Sequence, residues 1–149
     1  MRQLDVYLGE SLIGRIAENR KGGRFEYEQS IVDKLAGRPV LSMAFPAKVR
    51  PFGEAKTSAW FNGLLPEGNR RDEVCRSLGV LPYDWIGLLA EIGWECAGAV
   101  RVFEHGRERA CELRLEEIPS SELAEKLSSV TERLPQVESG LFRMSLGGF

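Results

Sequence analysis

A serine and two glycines stand at Ser145-Leu146-Gly147-Gly148, directly after the strand-like alternation Leu141-Phe142-Arg143-Met144. A strand that opens into paired glycines can bring backbone N–H groups close to a phosphate, because glycine has no Cβ to hold the chain away and reaches φ values closed to other residues. Ser145, Gly147 and Gly148 are therefore the first candidates for chemistry: a turn whose backbone could approach a phosphate. Such a loop needs further residues to react, and the sequence places none after Phe149, so no catalysis is expected of it alone.

Other chemistries are narrowed by counting. His105 is the single histidine and lies in the turn-like stretch Glu104-His105-Gly106-Arg107, where a solvated hairpin turn is expected rather than a triad or metal site. Cys75, Cys96 and Cys111 are unevenly spaced with no C-x-x-C pair, which predicts free, mostly buried thiols and neither zinc nor a disulfide framework. The acidic residues Glu116, Glu117, Glu122 and Glu125 sit where helix starts and solvated faces want charge, so no carboxylate pair is nominated for acid or base work. No catalytic residue and no metal ligand is assigned.

The positioning elements change period near residue 58. Before it, Leu4, Val6 and Leu8 alternate with polar neighbours, Gly9-Glu10-Ser11 turns, and Leu12 to Ile16 returns, which predicts a β-hairpin. Lys21-Gly22-Gly23 predicts a second turn leading into Arg24 to Tyr27, and Pro39 to Pro46 reads as a strand bracketed by prolines. From Ser58 the spacing is helical, with Trp60, Phe61, Leu64 and Leu65 on one stripe until Pro66-Glu67-Gly68 interrupts it. Asn69 is expected to cap the next helix, with Asp72 and Glu73 in its first turn and Gly79 as its stop; a third helix follows Pro82 and ends at Gly93. Val100 to Phe103 and Ala110 to Leu113 read as a second hairpin, and Ser120 caps a last helix with Leu123, Leu127 and Val130 on one face.

The fold class expected is α+β, a small antiparallel sheet with hairpins followed by a cluster of short helices, in a single domain over residues 1–149. Its parts are a β-rich 1–57, a helical 58–93, a hairpin over 94–115, a helix over 120–130, and a terminal strand with glycine loop over 139–149. A chain of this length buries roughly 68–70% of its unfolded surface and is expected to fold without staples. With 20 basic and 22 acidic residues the net charge is -2, which disfavours direct nucleic-acid binding, and no segment is apolar enough for a membrane or a secretion signal. A cytoplasmic location is expected.

Four segments together carry a resemblance. Val6-Tyr7-Leu8-Gly9-Glu10 with Ile13-Gly14, then Leu41 to Pro46, then Phe61-Asn62-Gly63-Leu64-Leu65-Pro66-Glu67-Gly68 with Arg70-Arg71, then Gly93-Trp94-Glu95-Cys96-Ala97-Gly98-Ala99-Val100, resemble the N-terminal region of HipA-type serine/threonine kinase toxins. Phe142 to Gly148 is similar to the serine- and glycine-bearing loop before that family's kinase core. The chain departs from the family at Trp94 and Glu95, where a polar or charged residue and then aspartate are usual.

The resemblance implies a non-catalytic N-terminal module of a toxin–antitoxin kinase, docking on and regulating a kinase core in cis or in trans. Phosphoryl transfer is mostly positioning plus charge neutralisation, and the family's lysine and aspartates lie beyond the matched region, so ATP and Mg²⁺ belong to a complete kinase and no cofactor is assigned to this chain. Ser145 matches the loop serine whose autophosphorylation switches such kinases off, which makes it a candidate phosphosite, and the family is tied to persistence. A HipB-like antitoxin complex is implied as a partner assembly. The alternative is a stand-alone, antitoxin-like regulator of a separately encoded kinase; the reading frame after Phe149 separates the two. Partner contacts are expected from Trp60, Leu65, Pro66, Glu67, Arg70 and Arg71, with Trp60 and Leu64 buried and 66–71 exposed. One of the two arginines is expected to pair with Glu67 or Asp72 against the unfavourable helix dipole.

Overall fold

The computed structural model describes residues 1–96 and 99–107, and everything below concerns those residues. Strands β1 (Gln3–Leu8) and β2 (Ser11–Asn19) form the expected hairpin, and β3 (Gly22–Tyr27) pairs antiparallel with β2. Strand β4 (Val100–Glu104) pairs antiparallel with β1, giving the order β3-β2-β1-β4. Among the described residues the first and last strands are therefore neighbours, and the proposed return arm Ala110 to Leu113 lies outside the described residues, as do the helix over 120–130 and the terminal strand and loop.

Alternation decides which side chains turn inward, because successive strand residues face opposite ways. Leu4, Val6, Ile16, Phe25 and Val102 are all fully buried, and the register sets Leu4 opposite Ile16, Val6 opposite Val102, and Ile16 opposite Phe25. Between Val6 and Tyr7 the register slips by one residue of β2, a bulge at Ile13. Gly14 beside it is obligatory in a steric sense: a Cβ there would strike the Glu26 carbonyl and the Phe25 ring.

Helices α1 (Gln29–Leu35), α2 (Glu54–Asn62), α3 (Gly68–Leu78) and α4 (Trp85–Ile92) follow, α4 running on into a 3-10 turn at Gly93–Glu95. Helix α2 packs on β3 and α4 on β4. The fold is thus mixed α+β, a four-stranded antiparallel sheet with four helices. Its centre is aromatic: Phe25 has the rings of Tyr27, Phe45, Phe52 and Phe61 between 4.8 and 6.1 Å away. Such pairs add about 0.5–1.5 kcal/mol each beyond their area burial.

Several local expectations are corrected. Residues 39–46 are not a strand but a pinned excursion, closed on itself by a single bridge between Pro39 and Pro46 and flanked by another between Ala36 and Ala47. Both prolines lack an N–H for a ladder, and the Tyr27 hydroxyl substitutes for one, donating to the Phe45 carbonyl (2.6 Å) and accepting from the Leu41 N–H (3.3 Å). Helix α1 was not legible, since Val32 is its one fully covered side chain. Helix α2 begins at Glu54 rather than Ser58 and ends at Asn62, so Leu64 and Leu65 lie in the turn after it. Asn69 does not cap α3, which starts at Gly68 with no side-chain cap, and Asp72 and Glu73 fall past its first turn. Gly79 ends α3 in the left-handed conformation as expected, at φ 68°.

Candidate functional site

The turn joining α2 to α3 carries most of the residues nominated from sequence. Phe61 is fully buried, and Leu65 and Pro66 are buried with it, while Trp60 and Leu64 are only half-covered and Glu67, Gly68, Asn69 and Arg70 are exposed. The expectation of a buried Trp60 and an exposed Pro66 is thus reversed: Trp60 sits edge-on to Phe61 at 4.7 Å and 5.7 Å from Phe45, lying along the core's rim, whereas Pro66 tucks the turn against the core.

Arg71 takes neither Glu67 nor Asp72 as partner. Its Nε donates to the Pro82 carbonyl at 2.7 Å and its Nη1 to the Asn62 Oδ1 at 2.8 Å. One guanidinium thereby ties the end of α2 to the segment entering α4, a use that the rigid fork of donors favours over lysine. Helix α3 is held between those two points. The side chain is half-buried, so Arg71 shapes the turn more than it presents charge outward.

A second guanidinium ties β2 to the start of α4. Arg2 reaches Glu18 Oε1 through Nη2 at 2.7 Å and Glu18 Oε2 through Nε at 3.1 Å, and it reaches Asp84 Oδ2 and Oδ1 through Nη1 and Nη2, each at 2.7 Å. Asp84 is also the N-cap of α4, accepting from the Gly87 N–H at 3.0 Å. The hydrogen bonds from Arg2 hold both carboxyls below the ordinary carboxylate range and hold the guanidinium above its own. A cleft of about 320 Å³ opens here, lined by Arg2, Gly79, Val80, Leu81, Asp84, Gly87, Ala90, Glu91 and Glu104. With Arg2 fully matched, what remains for a ligand is weakly acidic and shallow.

His105 is not simply solvated. Its Nδ1 lies 2.8 Å from Oδ2 of Asp5, a carboxylate only 5% exposed on the sheet, whose Oδ1 accepts from Arg15 Nε at 2.9 Å; Arg15 in turn meets Glu28 at 2.9 Å. The row ties β1, β2 and β4 together across their outer face. Cys75 and Cys96 are buried and free, and burial pushes the Cys96 thiol up to about 12, far from a reactive thiolate. Among the described residues no cluster of His, Cys, Asp and Glu could hold a metal ion, and no helix is long and apolar enough to cross a membrane. Ser145, Gly147 and Gly148 lie outside the described residues.

Sequence reasoning missed Arg2, Asp84 and Thr57. Thr57 is fully buried, and its Oγ1 accepts from the Phe25 N–H at 3.2 Å while donating toward the carbonyls of Gly53 (3.0 Å) or Phe52 (3.3 Å). It satisfies the outer edge of β3, helped by the Phe52 N–H on the Phe25 carbonyl at 2.8 Å. Asp84 had a visible signal, an aspartate three residues before a glycine at the head of an apolar run; the other two had none.

A family model described as the HipA N-terminal domain matches residues 4–103. A protein of Sinorhizobium fredii (strain NBRC 101917 / NGR234), described as "Putative kinase Y4mE", is 30% identical over 109 residues, which cover 72% of this chain and 26% of that protein. Among solved structures, the complex of Shewanella oneidensis MR-1 HipA, HipB and operator DNA contains a chain similar in fold, with a TM-score of 0.70 at 23% identity, covering 97% of this chain and 33% of that one. The chain thus spans about a quarter to a third of the length of these relatives.

Proposed function

The chain belongs to the HipA N-terminal domain family, and from that membership we propose that it is the non-catalytic N-terminal module of a HipA-type toxin–antitoxin serine/threonine kinase, docking on a kinase core and regulating it. The observation that carries the reading is the family match over 4–103, supported by a relative described as a kinase of which this chain spans only 26%. In this reading ATP, Mg²⁺ and the catalytic groups belong to the core, and the module acts in the cytoplasm through protein contacts.

The α2–α3 turn is the docking element. Trp60, Glu67 and Arg70 offer surface, while Leu65 and Pro66 from beneath and Arg71 across the helix ends fix the turn's shape before a partner arrives. Preorganisation of this kind spares the ordering entropy that weakens flexible docking loops. Ser145 is the residue a complete kinase would phosphorylate, and with Gly147 and Gly148 it makes up the remnant of the nucleotide loop. A HipB-like antitoxin joins the assembly by analogy with the Shewanella complex, and contacts to operator DNA are left to that partner.

Calorimetry of the chain against a kinase core encoded downstream of it tests the proposal. Association is expected with the natural protein, and the pair of charge reversals Glu67→Arg and Arg70→Glu is expected to weaken it at least about tenfold, roughly the effect of losing 1.4 kcal/mol. Circular dichroism confirms that the variant is folded. No association of the natural chain at millimolar concentration would overturn the reading.

A further inference from the structure

Between Asp33 and Glu54 the chain holds four cations, Lys34, Arg38, Lys48 and Arg50, and no carboxylate. The whole chain carries -2, so the other residues together carry -6, that is -2 less +4. A local excess of this sign on an acidic protein is a local design, not a general charge. No ion pair to Arg38, Lys48, Arg50 or Lys56 occurs among the described residues, and Glu54, the nearest acid in sequence, is occupied by Arg24 and Asn19.

Two of these ammonium groups are held in place with no counter-ion among the described residues. Lys48 Nζ stands 4.1 Å from the centre of the Phe52 ring, and Lys56 Nζ stands 5.3 Å from Phe52 and 5.4 Å from Phe45. Both rings are buried members of the aromatic centre, so the two charges share one rigid support. Trp60, one turn beyond Lys56 on α2, rests on the same Phe45 ring. Beside them the excursion of residues 39–46 lifts Met43 to 85% exposure, with Val49 at 72%. The excursion is not loose: the Gly37 N–H reaches the Ala47 carbonyl and the Ala47 N–H the Arg38 carbonyl, both at 2.8 Å, and the Tyr27 hydroxyl pins Phe45. A pinned segment that exposes Met43 and is flanked in sequence by Arg38, Lys48 and Arg50, none of them ion-paired among the described residues, joins the two ingredients of an interface, an apolar anchor point and charge.

We propose that this surface docks an acidic protein segment carrying an apolar anchor residue. Its carboxylates meet Lys48, Lys56 and Arg50, and its anchor lies against Met43 and the exposed edge of Trp60. A polyanion such as nucleic acid fits less well, because its charge continues past a small basic patch onto a surface of net negative charge and it offers no aliphatic anchor. The surface shares only Trp60 with the kinase-docking turn proposed above and does not depend on that reading.

The test is an array of twelve-residue peptides, each with four Asp or Glu and one Leu, Phe or Trp moved through the positions, probed with the full 149-residue chain. Neutral and Lys-substituted counterparts and a single-stranded oligonucleotide serve as comparison probes. The acidic, anchored peptides are expected to bind, to release between about 0.1 and 1 M salt as the screening length falls from about 10 to about 3 Å, and to lose about tenfold in affinity to Lys48→Gln with Lys56→Gln. Met43→Ser, at an exposed position that threatens no fold, is expected to cost about fivefold for the anchored peptides only. Equal binding of neutral peptides, binding of the oligonucleotide alone, or no peptide binding below 1 mM would overturn the proposal. Because no kinase core is present in the assay, neither result bears on the docking reading.

Discussion

Replacing Thr57 by valine should unfasten the outer edge of β3 without changing the volume of the core. The side chain is fully buried and its Oγ1 is the acceptor for the Phe25 N–H. A single hydroxyl proton can serve one of the two nearby carbonyls at a time, and the Gly53 carbonyl keeps the Thr57 backbone N–H at 3.0 Å whichever side chain is present. The uncompensated loss is therefore one buried amide, about 1–3 kcal/mol. Exchanging hydroxyl for methyl in an apolar site returns up to about 0.8 kcal/mol, so the middle of that range, a loss of about 2 kcal/mol, becomes a net loss of about 1–2 kcal/mol. For a domain of this size that lowers Tm by about 2–8 °C. Urea unfolding followed by tryptophan fluorescence gives the energy, and hydrogen exchange of the Phe25 amide gives the cause. Thr57→Ser is the control, since it loses a methyl group but keeps the acceptor: it should be destabilised yet retain Phe25 protection. An unchanged exchange rate at Phe25 in the valine variant, with Tm within about 1 °C of the natural protein, would refute this account of how the edge is closed.

Acid should find the ion-paired carboxylates. Glu54, at the first turn of α2, is lowered to about 2 by its own backbone N–H, then by Asn19 and Arg24, and Glu18 and Asp84 are lowered chiefly by hydrogen bonds from Arg2. A depressed folded value means that their stabilisation is complete above the unfolded values of 4.5 for the glutamates and 3.8 for Asp84, and is lost as pH falls through the lowered folded values, which for Glu54 means toward about 2. The urea midpoint should hold from pH 8 to 5 on their account and drop below 4.5; Glu54→Gln should flatten part of that drop, and an identical pH slope in the variant would count against the assignment. Gly14→Ala should be among the most damaging small substitutions, because backbone and the core ring Phe25 cannot both retreat from the added methyl; overpacking of this kind costs about 1–3 kcal/mol or more, and a variant melting with the natural protein would show that the bulge relaxes freely.

Much of the fold could be read where pattern is local. The β1–β2 hairpin follows from alternation around Gly9, and the ends of α3 and α4 follow from Gly79 and the glycine after Ile92. What could not be read is what tertiary structure imposes. Prolines and a run of apolar residues made 39–46 look like a strand, yet its backbone is satisfied by Tyr27, a residue in another element. Helix α2 buries a threonine and a phenylalanine rather than an aliphatic stripe, so its first turn was invisible to periodicity. The candidate site divides the same way: the α2–α3 turn was found through its motif, but the partners of Arg71 and the reach of Arg2 to a residue 82 positions away are facts of folding, not of sequence. The basic stretch 34–53 was present in the sequence and passed over because the overall charge is close to zero.

The order of strands has a consequence for synthesis. β1 is an interior strand, but its two neighbours arrive at very different times: β2 follows it immediately, whereas β4 begins about 90 residues later. At translation rates of about 5–20 residues per second the far edge of β1 waits on the order of 5–18 s for its partner. Until β4 arrives, the strands available to the sheet are β1, β2 and β3, and the edge open for pairing is that of β1. Such an edge invites pairing with a neighbouring nascent chain, and the long sequence separation of the β1–β4 pair adds to the contact order that slows folding. The buried carboxylate of Asp5 stands on that waiting edge, and its charge deters a foreign apolar strand until the segment bearing His105 comes to meet it.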